Sequence, residues 1–408
     1  MKRIVLTGFG LVTPGTSYSE KLWYNLLNKE SLFEEVELSE GVNLTIGKKP
    51  DFDISEYDIE KKKLRYLDKQ VIYSLVAAIE NVKVSNLEKK LSDEEASKRI
   101  GVVMGSMFAQ IDFGLQQVKK VVVDSSPKIS PYTGLAFYYG ANVGEISVTF
   151  KTNGENCAVM SGSNTGIDAV NIAATMLKRN INDVVFAGAG ENIVFDIFFK
   201  ALNEKNKLSK SRYRPFDIRR DGSHISNGAG ILTLETEEYA LKREAEIFGE
   251  IVSFHSVNTS SCTFKLNEEI IDSMCKVITR CIEDANMTSE GIDLVLPTAD
   301  ASEDGDYYEM LALKRIFKGR ENIVYTPKPV VGYCLSFNSI VDIFVGSMAI
   351  KHGLIPGHPE RYDSGDAEFN KMLVGTETIK RDVKNVLVIH RSWLDGKISA
   401  LMLRKYMQ

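Results

Sequence analysis

The stretch of the chain that decides the fold is Val159-Met160-Ser161-Gly162-Ser163-Asn164-Thr165-Gly166-Ile167. It begins as a buried strand, passes through small residues that form a tight turn, and continues as a helix. A turn of this kind presents one side chain at a helix N-terminus, where backbone N–H groups and the helix dipole favour a developing negative charge. Enzymes that form covalent acyl intermediates place a nucleophile there. The candidate nucleophile in this stretch is Ser163.

Strand-like apolar runs alternate with amphipathic helical windows on both sides of this turn. Strands separated by helices predict an α/β fold with buried sheets. The pattern restarts after residue 247, which indicates a duplicated fold with halves at residues 1–246 and 247–408. In the first half we predict strands at residues 4–7, 100–104, 157–160, 184–187 and 231–234, and helices at 21–27, 68–82, 113–123 and 166–179. In the second half we predict strands at 249–254, 294–296, 323–325, 386–389 and 398–403, and helices at 268–284, 306–317 and 339–351.

Two features between these elements carry further expectations. The segment at residues 31–63 is charged and irregular, and we expect a surface excursion there. Glycines at residues 8–10, 105 and 188–190 are expected at the C-terminal ends of strands, where α/β folds place ligand sites. None of them forms a nucleotide-binding pattern, and simple turn geometry explains them equally well.

Composition limits the classes of function. The chain has 408 residues, 44% of them hydrophobic and 26% charged, as in ordinary globular proteins. A net charge of −5 gives no reason to expect a nucleic-acid partner, and no apolar run approaches the roughly 20 residues that span a bilayer. The five cysteines lack a C-x-x-C spacing, which favours free thiols in the cytoplasm. The five histidines show no metal-ligand clustering, so neither a metal nor a cofactor is expected.

The chain contains several motifs that occur together, and in the same order, in one known protein family. They are Val5-Leu6-Thr7-Gly8-Phe9-Gly10-Leu11-Val12-Thr13-Pro14-Gly15, Asp183-Val184-Val185-Phe186-Ala187-Gly188, and Arg214-Pro215-Phe216-Asp217 followed by Arg220-Asp221-Gly222 and Gly228-Ala229-Gly230. The chain resembles the elongating β-ketoacyl-acyl-carrier-protein synthases from residue 3 to about residue 404. The resemblance implies a thiolase-like, duplicated α/β/α/β/α sandwich of five layers, usually dimeric.

Condensation in that family needs a cysteine and two histidines, and the resemblance places other residues at all three positions. Ser163 stands at the cysteine position of the turn. Counting back from Asp306 and Glu309 places Thr298 at the first histidine position. The segment at residues 328–333 keeps the family's lysine, Lys328, and its glycine, but offers Tyr333 at the second histidine position. The family's G-F-G-G gating loop is also absent, because residues 392–396 keep only its last glycine.

These departures predict a subunit that does not condense acyl chains alone. A serine is a weak nucleophile unless a base takes its proton, and neither Thr298 nor Tyr333 can act as an imidazole base. The chain therefore resembles a chain-length factor, the degenerate partner that forms a heterodimer with a catalytic ketosynthase in type II polyketide and aryl-polyene systems. An acyl carrier protein is the second expected partner. Its acidic surface could bind a group of basic residues: Lys207, Lys210, Arg212 and Arg214. The alternative is that these four residues form only a solvated basic surface.

Three alternatives stay open from the sequence. The chain could be a Ser163-dependent malonyl-carrier-protein decarboxylase, although relatives of that kind keep the histidines. It could be an acyltransferase in which His390, near the altered loop, activates Ser163; the competing interpretation is a strand-end histidine with a structural hydrogen bond. It could also be a purely structural or carrier-binding module, a hypothesis that overlaps with the chain-length-factor role.

Overall fold

The computed structural model describes residues 2–37, 43–126, 128–193, 195–260, 267–392 and 395–408. The described strands are β1 Ile4–Val12, β2 Phe33–Glu37, β3 Asn43–Gly47, β4 Ile100–Gly105, β5 Cys157–Val159, β6 Val184–Glu191, β7 Gly228–Thr236, β8 Gly249–Asn258, β9 Leu294–Leu296, β10 Leu354–Ile355, β11 Ile379–Lys380, β12 Asn385–Arg391 and β13 Lys397–Arg404.

The described α-helices are α1 Ser19–Asn28, α2 Lys69–Ser85, α3 Glu88–Leu91, α4 Glu94–Ser97, α5 Ile111–Val122, α6 Thr133–Ala136, α7 Ala141–Phe150, α8 Thr165–Lys178, α9 Asp196–Glu204, α10 Glu237–Lys242, α11 Glu269–Asp284, α12 Glu303–Ile316, α13 Lys328–Val331, α14 Asn338–His352 and α15 Ala367–Met372. Short 3₁₀ turns lie at Ile54–Glu56, Lys63–Arg65, Ser289–Gly291 and Leu335–Phe337.

Nine strands form one continuous mixed sheet in which the two halves repeat the same pattern. The order is β5-β4-β6-β7-β1-β8-β13-β12-β9. In the first half β5, β4 and β6 are parallel, and β7 and β1 follow antiparallel. In the second half Val324 forms a parallel bridge with β9, and β9 is parallel to β12. β13 and β8 follow antiparallel. The halves meet where β1 pairs with β8, so the repeated order shows the duplication directly.

Alternating side chains explain why this sheet is buried on both faces. Along β4, β6, β12 and β13 one set of residues faces a central core that contains α8 and α14. The residues between them face two outer cores, one covered by α2 and α7 and the other by α11 and α12. Because successive strand side chains point to opposite faces, both sets must be apolar. The five layers are therefore α2 with α7, the first half-sheet, α8 with α14, the second half-sheet, and α11 with α12, which confirms the predicted fold class. The division at residues 246 and 247 stays a prediction.

Three expectations about local structure were wrong: the irregular course of residues 31–63, the glycines beyond the ends of β1 and β6, and a strand at residues 323–325. Residues 31–63 contain the β2–β3 hairpin, in which Phe33 pairs with Gly47. The glycines at residues 8–10 and 188–190 lie inside β1 and β6, not beyond them. A Cβ atom at Gly10 would come within 1.9 Å of the Ala77 carbonyl oxygen, so this glycine allows α2 to pack closely against β1. The segment at residues 323–325 forms only isolated bridges through Val324.

Candidate active site

The turn between β5 and α8 has the geometry that its sequence predicts. Gly162 adopts a left-handed conformation with φ of 55°, which glycine tolerates without steric cost. Thr165 closes the turn, since its hydroxyl donates to the Gly162 carbonyl oxygen at 2.7 Å and accepts from the Ser161 amide at 3.1 Å. Ser163 stands just before the helix and has no exposed surface. The candidate nucleophile is therefore well positioned but closed off from solvent.

Thr298 lies just beyond β9 and takes part in backbone support. Its hydroxyl oxygen accepts a hydrogen bond from the Arg391 amide at 2.8 Å, and its own amide donates to Glu309 at 2.8 Å. Glu309 also accepts from the amide of Ala299, whose φ of 47° is left-handed. Asp306 holds the next part of the loop by accepting from the Ala301 amide at 3.1 Å. The two carboxylates that located Thr298 in the sequence thus fix the loop that carries it.

Tyr333 fills the second position. Its amide donates to the His224 carbonyl oxygen at 2.7 Å, and its ring stacks on His390 with ring centroids 6.2 Å apart. Burial raises the pKa of Tyr333 well above its ordinary value; the adjacent Ser163 hydroxyl lowers it but does not offset that effect. The phenol therefore stays protonated at neutral pH and cannot serve as a base for Ser163.

Lys328 anchors the segment that leads to Thr298. Its ammonium group donates to the Pro297 carbonyl oxygen at 3.0 Å and pairs with Asp342 at 3.1 Å, and both charged side chains are fully buried. Burial raises the pKa of Asp342 to about 6, although the neighbouring Lys328 charge opposes this rise. Lys328 therefore has a structural role: it forms an internal ion pair and holds the loop before Thr298.

His390 lies beside the backbone of Ser163, at the end of β12. Burial, together with the charges of Lys328 and Arg391, lowers the pKa of His390 to about 3. Among the described residues neither of its ring nitrogens has a hydrogen-bond partner of good geometry. The Ser163 backbone contacts the ring and opposes this lowering of the pKa of His390. The ring is near the candidate nucleophile and neutral, and no carboxylate of the described residues is hydrogen-bonded to it as in a catalytic triad.

Arg391 is a central residue of the site that the sequence analysis missed. It is almost completely buried, and its guanidinium group donates to the Asp300 carboxylate at 2.5 Å. Asp300 also accepts from the amide and hydroxyl of Ser302 at 3.0 and 2.7 Å. Burial by itself would raise the pKa of Asp300, but the Arg391 charge and these hydrogen bonds hold it well below its ordinary value. A buried ion pair thus lies beside the positions that the resemblance assigns to two histidines.

The altered loop covers the turn from outside. A Cβ atom at Gly162 would lie 3.0 Å from the Ser392 hydroxyl and 3.2 Å from the Asp395 carboxylate. Lys397 pairs with Asp168, on the first turn of α8, at 2.6 Å. Trp393 and Leu394, which belong to the same loop, lie outside the described residues. The segment from β12 to β13 therefore packs directly on the candidate nucleophile turn.

A half-buried aromatic cluster packs against the core group that contains Tyr333. Phe108 follows β4, and Phe195 and Phe198 follow β6; the ring centroids of Phe108 and Phe198 are 5.1 Å apart. These rings pack against the core group that contains Tyr333. At the base of this cluster the side chain of Glu191 accepts a hydrogen bond from the Met107 amide. Half-buried aromatic side chains thus pack beside the core group that contains Tyr333.

The surface around β5 is unusually apolar. β5 is an edge strand; α5 packs on α6, and Ser147 on α7 accepts a hydrogen bond from Asn156, just before β5. Exposed apolar residues lie on α5, α6 and α7, in their connections, and directly after β5. We call these residues the β5 patch: Val118, Val121, Val122, Val123, Ile129, Tyr132, Leu135, Phe137, Tyr138, Tyr139, Val148 and Met160. An exposed strand edge beside a large apolar surface is typical of a protein interface.

The predicted basic group is only partly free. Lys210 and Arg212 are exposed, but the Glu360 carboxylate lies 4.0 Å from Arg212 and 3.0 Å from Arg214. Within the part of the chain that the structure describes, no group of three His, Cys, Asp or Glu side chains could hold a metal ion. No helix in that part is both long and apolar enough to cross a bilayer.

Comparison with known proteins finds related sequences. The chain is 26% identical to a 3-oxoacyl-[acyl-carrier-protein] synthase 2 of Vibrio harveyi over 370 residues, which cover 87% of each protein. It is also 26% identical to a putative polyketide beta-ketoacyl synthase 1 of Streptomyces halstedii, with 98% of each chain covered.

Solved structures share the fold over the whole chain. The ishigamide ketosynthase/chain length factor matches with a TM-score of 0.87 at 22% identity, and each chain is covered completely. A type II polyketide ketosynthase in complex with its acyl-carrier protein, AntDE:AntF, matches with a TM-score of 0.86 at 20% identity, again over the full length of both chains. The family descriptions "Beta-ketoacyl synthase, N-terminal domain" and "Beta-ketoacyl synthase, C-terminal domain" match residues 1–240 and 248–360, and the chain belongs to the β-ketoacyl synthase family.

Proposed function

We propose that this chain is a non-condensing ketosynthase homologue that acts as a chain-length-factor-type partner of a catalytic ketosynthase. The pathway would be type II polyketide, aryl-polyene or fatty-acid-like biosynthesis. The observation that carries the proposal is the burial of Ser163 beside the protonated phenol of Tyr333, with no imidazole at either histidine position. The same site residues, Ser163, Thr298, Tyr333 and Lys328, would then hold the fold without performing the reaction.

The chemistry of the site supports this role. Condensation requires a nucleophile, donors that stabilise an oxyanion, and help with decarboxylation of the extender. The Thr298 hydroxyl oxygen is already used as an acceptor for the Arg391 amide. Loss of general acid–base help typically costs about 10²–10⁴-fold in rate, and loss of an oxyanion donor about 10²–10³-fold. Together these losses leave the isolated subunit without a path to the condensation product.

The β5 patch supports a heterodimer. We infer that its occupant is a catalytic ketosynthase, which would pair with the β5 edge and cover the apolar residues of α5 to α7. The solved structure of the ishigamide ketosynthase/chain length factor has the same fold along its whole length. The acyl carrier protein would approach the partnered complex, and the exposed residues Lys210 and Arg212 offer it positive charge.

The aromatic cluster supports an influence on product length. Phe108, Phe195 and Phe198 are half-buried and pack against the core group of Tyr333, where a growing chain would otherwise enter this subunit. A product tunnel in the partner would end against such a surface.

We place the complex in the cytoplasm. The reason is that Cys157, Cys275, Cys281 and Cys334 are free thiols, as expected in a reducing compartment.

The test is co-expression of this chain with candidate catalytic ketosynthases that contain cysteine and both histidines. We expect a stable complex, condensation only in its presence, and no turnover of malonyl-carrier protein by this chain alone. Decarboxylation by the isolated chain that disappears in Ser163→Ala, but persists in the surface control Ser92→Ala, would overturn the non-catalytic assignment. Failure to co-purify with any intact ketosynthase would count against the heterodimer.

The second candidate is a Ser163-dependent malonyl-carrier-protein decarboxylase or acyltransferase. The observation that favours it is the position of His390 beside Ser163. A histidine with a pKa near 3 is a poor acceptor for a serine proton, so we place this function second. Its test is intact-mass detection of an acyl adduct that is lost in both Ser163→Ala and His390→Phe.

A further inference from the structure

Side-chain contacts join the helices that carry the β5 patch into one surface. The Gln117 side chain of α5 accepts a hydrogen bond at 3.1 Å from the backbone of the connection to α6. In that connection Tyr132 stacks on Tyr66, with ring centroids 4.4 Å apart. Three residues before Tyr66, Lys63 pairs with Glu145 of α7 at 2.8 Å. This series of contacts runs from α5 to α7 without a break.

The strand β5 continues the same surface. Asn156, just before β5, donates to the Ser147 hydroxyl of α7 at 3.1 Å. Among the described strands β5 pairs with β4 on one side and with no strand on the other. Val122 on α5 and Val148 on α7 are 72% and 71% exposed. An apolar surface of this extent beside an open strand edge needs a partner to cover it.

The charges among these apolar residues are mostly positive. Between residues 113 and 160 the charged side chains are Lys119, Lys120, Asp124, Lys128, Glu145, Lys151 and Glu155. Glu145 is paired with Lys63. The four lysines are exposed, and in the described part of the chain none of them forms an ion pair. They outnumber the two remaining carboxylates, although the whole chain has a net charge of −5. The β5 patch is therefore a positive face on an acidic protein.

These lysines lie beside the apolar side chains that a partner would cover. Residues three apart are neighbours on a helix, so Lys119 adjoins Val122 on α5. Lys128 directly precedes Ile129, and Lys151 caps the C-terminus of α7. A partner that covers the apolar residues must place its own charges close to these ammonium groups. Charges interact over about 10 Å at 0.1 M salt, so the sign of the partner's face matters.

We propose that the lysines of the β5 patch select a partner with an acidic face and prevent a second copy of this chain from pairing there. In a twofold dimer of this chain the same patch would meet itself, and lysines would face lysines. Like charges across an interface repel, whereas opposite charges attract and speed association. The choice of an acidic partner rests on the proposed heterodimer. The exclusion of a second copy concerns this chain alone.

The first test reverses the charge of the patch on one protomer only. Lys119→Glu combined with Lys120→Glu makes the face negative, so a mixture of this double variant with the wild type should form a mixed dimer. We expect the mixed dimer to bind about tenfold more tightly at about 50 mM than at about 500 mM salt, because salt screens the attraction. Neither protein alone should dimerise as tightly, since each pairs like charges. Analytical ultracentrifugation with one protein fluorescently labelled measures all three dimers.

The matched control reverses a second pair of consecutive lysines in the last turn of a helix. Lys89→Glu combined with Lys90→Glu makes this change on α3, and its mixture with the wild type should give no mixed dimer at either salt concentration. The proposal is overturned if the Lys119 and Lys120 double variant pairs with the wild type no more tightly than the wild type pairs with itself. A mixed dimer formed equally well by the control also overturns it.

The second test uses the complex with a catalytic ketosynthase. Its affinity should fall about tenfold between the same two salt concentrations. The Lys119 and Lys120 double variant should weaken the complex, because the partner's acidic face then meets carboxylates. An affinity that neither salt nor the variant changes would refute the selection of an acidic partner. If no ketosynthase co-purifies, the heterodimer fails, while the mixed-dimer experiment still decides whether the lysines exclude a second copy.

Discussion

The ring of Tyr333 lies nearly parallel to the ring of His390, with 16° between their planes and 6.2 Å between their centroids. Both side chains are fully buried, and both lie beside Ser163. The phenol is protonated and the imidazole is neutral at pH 7, so two uncharged rings surround the serine. The serine hydroxyl therefore lies beside a phenol and a weakly basic imidazole, and no strong base takes its proton.

The first prediction is that a thiol at position 163 does not restore condensation. Ser163→Cys supplies the family's nucleophile, but Thr298 and Tyr333 still provide no imidazole. We expect the condensation rate to stay at least about 10²-fold below that of an intact ketosynthase. The measurement is mass spectrometry of β-ketoacyl-carrier protein, with the intact enzyme assayed in parallel. Product formation by the single variant at a comparable rate would mean that another group in the site supplies the missing chemistry.

The turn and the Thr298 loop could be predicted from sequence because their signals are local. Gly162 and the small residues around Ser163 define the turn, and the spacing from Thr298 to Glu309 is short enough to count. The Arg391–Asp300 pair could not be predicted in this way, because its partners are 91 residues apart. A single arginine after an apolar run is typical of a strand end that meets solvent, and only the packed sheet shows that it is buried.

The β2–β3 hairpin was missed for a related reason. Its first strand contains Glu34 and Glu35 in succession, which hides the alternation expected of a half-buried strand. Phe33 and Val36 pack against the core group around Tyr333, a contact made with residues far away in sequence. The aromatic cluster likewise depends on loops from several parts of the chain, so it had no local signal.

The second prediction concerns the buried ion pair. Asp300→Asn leaves the Arg391 charge buried without its partner, and we expect a loss of about 3–5 kcal/mol in the free energy of unfolding. The matched control is Asp272→Asn, whose partner Arg315 is mostly exposed; there the loss should stay below about 1 kcal/mol. Chemical denaturation of both variants measures the difference, and equal losses would contradict the assigned importance of the pair.

The pH dependence of that difference has a definite sign. The Arg391 charge holds the pKa of Asp300 below its ordinary value of 3.8 despite burial. A depressed pKa contributes stability that is complete above the ordinary value and is lost as pH falls through the lower folded value. The gap between wild type and Asp300→Asn should therefore be constant from about pH 5 to pH 8.

The third prediction uses Glu191, at the end of β6. Burial raises its pKa to about 8, against the opposing hydrogen bonds from Met107, Ser336 and Phe108. A raised pKa gives a contribution that is complete below the unfolded value of 4.5 and is lost as pH rises through about 8. Wild-type stability should thus fall over this range, whereas Glu191→Gln should show a flatter profile.

Thermal unfolding at a series of pH values measures that slope. The control is Glu246→Gln, because Glu246 is exposed and pairs with Lys351 at the surface. This control should keep the wild-type slope. Parallel profiles for the wild type and Glu191→Gln would show that Glu191 is ionised throughout and that its pKa is not raised.

The fourth prediction tests the β5 patch as the surface that binds the catalytic ketosynthase. Val122 is 72% exposed on α5, so Val122→Asp should leave the stability of the isolated chain nearly unchanged. Within the complex the new carboxylate would be buried without a partner, and we expect co-purification with the ketosynthase to be lost. Tyr24→Asp, at a residue 60% exposed on α1, is the matched control and should still form the complex. Size-exclusion chromatography with light scattering measures both variants; a complex that survives Val122→Asp, or is lost equally in Tyr24→Asp, places the partner on another face.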